Sequence, residues 1–140
     1  MIVDASGVYF HPEATFGMSG VADRNEREGI NFHFDGESYF MDQIWPHLYE
    51  RSTAFEKLKF LNGWAGLYEV SPDESAIIGQ VSDRIYESHS YSGHGVMHSY
   101  ATGLALAEKI LTGHYESFDL DILSGRRFET GKLVSETAVI

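Results

Sequence analysis

Seven consecutive residues, Tyr91-Ser92-Gly93-His94-Gly95-Val96-Met97, gather more reactive and permissive chemistry than any other stretch of the chain. A Gly-x-Gly turn lets the backbone pass close to a flat or anionic ligand, because no Cβ stands in the way. The segment Met97–Leu111 that follows reads as a helix. The free N–H groups and positive dipole end of that helix would point at whatever sits over the turn. Two further chemistries can be read from the same residues. Ser92 and His94 suggest a nucleophile and its base, but the hydrolase elbow needs Gly-x-Ser-x-Gly and position 90 is serine. His94 and His98, four apart with His89 upstream, suggest metal ligands. Gly95 stands where a zincin motif has glutamate, and no acidic residue in the turn completes the set, so no metal site is assigned.

The elements around this stretch must position it. Val96, Tyr100, Leu104, Ala107 and Leu111 recur on one helical face, widened by Met97, Ala101 and Ile110. Gly113 ends the helix in the usual way. The small residues Ala101, Gly103, Ala105 and Ala107 would let it lie close against a sheet. Upstream, Ala76–Val81 and Arg84–His89 read as short strands, preceded by the turn Ser71-Pro72-Asp73-Glu74 and by an aromatic-rich, buried strand over 60–70. Near the start, Gly7–Pro12, a strand ended by its proline, and Phe16–Ala22 read as paired strands, and Asp23–Gly29 as a solvated charged loop. Phe40, Ile44 and Leu48 share a helical face in which Pro46 either makes a kink or opens a second helix. Strands and helices do not alternate regularly, so the fold class expected is α+β.

A length of 140 residues suits about one domain, and 43% hydrophobic residues with 14 glycines suit a globular one. The formal charge of −11 opposes binding to nucleic acid or to an anionic membrane. The chain has no cysteine, which removes disulfides, thiolate metal sites and a thioether-linked flavin. No apolar run is long enough to span a bilayer, and the start does not read as a signal peptide, so a cytoplasmic location is expected. Neither standard phosphate-binding loop is present, Gly-x-x-x-x-Gly-Lys or Gly-x-Gly-x-x-Gly after a first strand.

Three segments, taken in order, resemble the C-terminal part of FAD-dependent oxidoreductases of the D-amino-acid oxidase class, nearest the sarcosine- and glycine-oxidase-like members. They are Gly7-Val8-Tyr9-Phe10-His11-Pro12-Glu13, then Trp64–Asp73 closing with Ile77-Ile78-Gly79, then Ser92–Met97 with its helix, Phe118-Asp119-Leu120 and Arg126-Arg127-Phe128. The resemblance implies a mostly antiparallel substrate-domain sheet with packed helices over residues 1–80. Residues 81–140 would then carry the last strand and helix of the flavin-binding domain and a tail.

In this class the dinucleotide fingerprint lies in the N-terminal half. The chain would therefore be a fragment, a truncated gene product or one part of a split enzyme, and alone would hold FAD weakly or not at all. Its partners would be a small amine or amino-acid substrate and an N-terminal flavin-binding half or a second copy of itself. Carried over by position, Ser92, Gly93, His94, Gly95, Val96 and Met97 would border the flavin ring. Tyr68 and His94 would be the catalytic side chains, with Tyr9 also on the substrate side. His11 stands where relatives often have arginine, and the carboxylate-gripping arginine of the glycine-oxidase branch is replaced near Tyr68, which counts against simple amino acids. The activity implied is oxidation of a C–N bond by hydride transfer to FAD. The rival expectation is a non-catalytic binding or assembly module that keeps the fold.

Overall fold

The computed structural model describes residues 1–134. They form two compact units, one from Met1 to Leu67 and one that starts at Tyr68.

The first unit contains a three-stranded antiparallel sheet in the order β1 (Ile2–Val3), β2 (Tyr9–Glu13), β3 (Phe16–Gly20). Pro12 lies within β2 rather than ending it, paired with Gly17 of β3. Proline cannot donate to a ladder, but β1 reaches only as far as Phe10, so the other side of Pro12 is open. Residues Gly36–Tyr39 (α1) and Trp45–Arg51 (α2) are joined by a wide π turn over Phe40–Ile44. Pro46 sits in the first turn of α2, where its missing N–H costs no helical bond, so it opens a second helix. Ile44 and Leu48 are buried with Val8, and Phe10, Val21, Tyr39, Phe40 and Phe55 pack around them. Residues 23–29 form an exposed loop, as their charge predicts.

In the second unit, β4 (Ile77–Ser82) and β5 (Ile85–His89) make an antiparallel hairpin with Ile77 opposite His89. The long helix α3 (Gly95–Thr112) packs on both strands and ends at Gly113, whose φ of 85° is the left-handed cap conformation. A short helix, α4 (Arg126–Thr130), follows a single 3-10 turn. Ile78 and Ala105 are fully buried where hairpin and helix meet. The chain is therefore α+β, with two small antiparallel sheets and a few helices.

One further local expectation is corrected. Residues 60–70 form no buried strand: they carry no regular secondary structure, with Trp64 72% exposed and only Val70 bridged, to Tyr91. Aromatic and branched residues favour strands only where a neighbouring strand and a packing surface exist, and this segment has neither along most of its length. The face of α3 that packs is its small-residue face, as expected. Thr102 and Ala105 face the hairpin, while Val96, Tyr100 and Leu111 are 93%, 83% and 83% exposed. Small side chains allow the close approach, and Tyr91 secures it by donating its hydroxyl to Thr102 Oγ1 at 2.9 Å.

Candidate functional site

The turn that leads into α3 is built from strained backbone. Ser90 and Ser92 both have positive φ, 57° and 51°, and Gly93 lies at 97°. Such conformations cost about 1–3 kcal/mol each for side chains other than glycine and persist only where the surroundings hold them. Here the holding is done by the segment just before β4. The Ser92 N–H donates to the Glu69 carbonyl at 3.2 Å, and the Ser90 N–H to Glu69 Oε2 at 3.1 Å. Val70 bridges Tyr91, which closes the stitch. Within the turn, His94 N–H donates to Tyr91 O at 2.9 Å, and His98 N–H to His94 O at 3.2 Å begins the helical ladder.

The two glycines of the Gly-x-Gly motif have different tasks. Gly93 needs its positive φ, and a Cβ there would meet Tyr68 Cζ at 2.9 Å, so the tyrosine ring lies directly on the glycine. Gly95 is the first residue of α3, and a Cβ there would stand 3.6 Å from Tyr91 Cβ, an ordinary contact. The closeness expected of the whole motif thus belongs to Gly93, whose open face is covered by Tyr68.

Of the residues singled out in the sequence, Tyr68, Ser92, Gly93 and His94 come together in this unit. Tyr68 is half exposed, Ser92 is buried to 1% exposure, and His94 is buried with its ring stacked on His98 at 5.7 Å between centroids. Val96 and Met97 stand exposed beside the turn. The N–H groups of the first helical residues, Gly95 to Met97, have no partner within the helix, so the N-terminus of α3 presents donors and apolar side chains side by side. That pairing suits a flat aromatic group with an electron-rich edge. Tyr9 lies on β2 in the first unit, its ring against Gly20. Among the described residues no group of three histidine or acidic side chains is arranged to hold a metal ion.

Sequence reasoning missed Glu69, Ser90, Tyr91 and Thr102 as the residues that fix the turn. Their roles come from contacts across 11 and 21 positions of sequence, and no local pattern marks them.

The DAO family, described as FAD dependent oxidoreductase, matches residues 1–109, which includes the turn and most of α3. The chain belongs to this family. Among similar proteins, "FAD-dependent oxidoreductase domain-containing protein 1" of Xenopus laevis is 31% identical over 147 residues, covering 100% of this chain and 29% of that protein. The Bos taurus protein of the same name is 30% identical, over 100% of this chain and 30% of its own length. "Probable oxidoreductase OrdL" of Haemophilus influenzae is 39% identical over 56 residues, 40% of this chain and 13% of that protein. The chain thus spans about 30% of the length of the curated relatives it matches throughout. No solved structure matches it. Family membership implies FAD in the complete oxidoreductase, and among the described residues no helix is long and apolar enough to cross a membrane.

Proposed function

We propose that the complete protein oxidises a C–N bond of a small amine or amino acid, and that this chain supplies the wall of the site beside the flavin. The observation that carries the reading is the contact of Tyr68 with Gly93 at the N-terminus of α3, within the family match. Bound FAD would accept the hydride as the substrate C–N bond becomes an imine. The chain's own residues would orient and hold. Ser92, Gly93, His94, Gly95, Val96 and Met97 would border the ring, and the N–H donors of the α3 N-terminus would face its electron-rich edge. Tyr68, with half its side chain open to solvent, would line the substrate side, and buried His94 would be the second catalytic side chain. Residues 1–80 would belong to the substrate domain and residues 81–140 to the end of the flavin domain, in a cytoplasmic protein.

A short experiment tests the site. Gly95→Val in the complete protein should lower flavin content and turnover together, while the same change leaves the 140-residue chain folded, since Gly95 has room for a Cβ. Unchanged flavin content would overturn the assignment. The isolated chain, lacking a pyrophosphate cradle, should be colourless and leave the fluorescence of added FAD unquenched.

The second reading is a non-catalytic binding module that keeps the fold, supported by the absence of a Gly-x-Gly-x-x-Gly loop from these 140 residues. In the first reading the exposed apolar face of α3 is covered in the complete protein. Tyr100, Leu104 and Leu111 on this face would be covered by an N-terminal flavin-binding half or by a second copy. Light scattering at physiological salt should find the chain self-associated. A stable monomer across micromolar concentrations would remove self-association and favour the binding module.

A further inference from the structure

His89 closes β5 with an acceptor-only group at each ring nitrogen. Its Nε2 lies 3.3 Å from Glu87 Oε2, and its Nδ1 lies 3.3 Å from Glu69 Oε1. Ser90 Oγ is also near, 2.9 Å from Nδ1. Across the hairpin its register partner is Ile77, and Glu69 and Glu87 are the charged groups within ion-pair distance of the ring among the described residues. An ionised carboxylate can only accept, whereas a neutral imidazole has one N–H to give. A neutral ring therefore serves Glu87 through Nε2, takes the Ser90 hydroxyl proton at Nδ1, and leaves Glu69 with the Ser90 N–H alone. A doubly protonated ring keeps the Glu87 and Ser90 bonds and adds a positive charge whose Nδ1 lies 3.3 Å from Glu69 Oε1.

We infer that His89 is a positioning residue whose second proton fastens Glu69, and through Glu69 the strained Ser90–Gly93 turn, beneath Tyr68. The connection is short at every step. Glu69 holds the turn by its carboxylate at Ser90 and by its carbonyl at Ser92, and it is the chain neighbour of Tyr68, whose ring covers Gly93. Pulling the Glu69 carboxylate toward β5 pulls that whole segment onto the turn. The sign follows: the turn is tighter with the ring charged and looser with it neutral. The bearing of this device on a flavin rests on the reading above, but the test is made on the flavin-free chain, so either can fail alone.

Amide hydrogen exchange on the 140-residue chain tests it. After correction for the intrinsic rate at each pH, protection of the Ser90 and Ser92 amides should fall about two- to five-fold from pH 5 to pH 8, the scale of an exposed ion pair. Protection of the Ala105 amide, buried in the middle of α3, should stay constant and report that the stability of the unit has not changed. His89→Gln and Glu69→Gln should each flatten the profile, while Glu69→Gln keeps an acceptor for the Ser90 N–H. A profile that survives in His89→Gln overturns the inference. Should the variants fail to fold, wild-type resonance spectra decide: the Ser90 amide and the His89 ring must titrate with a common midpoint, and separate midpoints overturn it.

Discussion

An arginine–aspartate pair ties distant residues together in each of the two units, and the surroundings of the two pairs could hardly differ more. In the second unit Arg127 binds Asp73 with two parallel bonds, Nε to Oδ2 at 2.7 Å and Nη2 to Oδ1 at 2.8 Å, and both side chains are only 3% exposed. Ser71 Oγ and the Val134 N–H also donate to Asp73, at 3.0 Å each, and Arg127 Nη2 donates to the Ser75 carbonyl at 2.8 Å. In the first unit Arg51 meets Asp4 through Nε, with the arginine 63% exposed and the aspartate 17%. The arginine in each case holds its aspartate well below the usual carboxylate range; burial works against this at Asp73. The same shift has different consequences. A solvated pair exchanges one good environment for another, whereas a buried one leaves an unpaired charge behind when broken.

The largest effect expected is therefore at the buried pair. Asp73→Asn should destabilise the second unit by about 3 kcal/mol, the low end for losing one partner of a buried pair. Exchange protection at the Ile78 and Ala105 amides would measure it, and unchanged protection would rank the pair with the exposed one. Acid reaches the same carboxylate. Because its folded pKa is depressed, the stabilisation is complete at neutral pH and starts to be lost only below the ordinary aspartate pKa of about 3.9, as pH falls toward the folded value. The second unit should consequently hold constant stability from pH 7 to about 4 with respect to this group.

Backbone strain comes next. Gly93→Ala should cost about 1–2 kcal/mol through its positive φ and its contact with Tyr68. At Gly95 the same substitution should be neutral or slightly stabilising, since alanine favours a helix over glycine. Equal losses at the two positions, read by thermal unfolding, would contradict the division of labour between them. The smallest effect belongs to the first unit: Arg51→Ala should leave the unfolding midpoint followed by Trp45 fluorescence within error. A clear drop would mean that the exposed pair carries weight its surroundings do not suggest.

What could be read from the sequence was what the chain encodes locally. The hairpins β2–β3 and β4–β5, the solvated loop at 23–29 and the span of α3 all announce themselves through turn residues, charge or a capping glycine within a few positions. The small residues of α3 also pointed to its close contact, made by Ala105 together with Thr102, while its apolar face stays exposed. Residues 60–70 misled, their strand-like composition having no partner strand. At the candidate site, Ser92 to Met97 and Tyr68 were legible as a family pattern. The clasp of Asp73 with Arg127 spans 54 positions, and the hold of Glu69 on Ser90 spans 21, so both needed the fold to become visible.

The π turn at Phe40–Ile44 has a consequence for how this chain tolerates change in length. A π turn holds about one residue more than a turn of α-helix, so the faces of α1 and α2 are offset by that residue. Removing a single residue from Met41–Gln43 would keep the mutual spacing of Ile44 and Leu48 but would put Pro46 inside a continuous helical run, where its ring meets the carbonyl four residues back and kinks the helix. Removing one from α2 instead would rotate Leu48 away from Val8 by about 100°, one residue's turn of the helix. The wide turn should accordingly resist shortening as α2 does, through Pro46 rather than through Leu48.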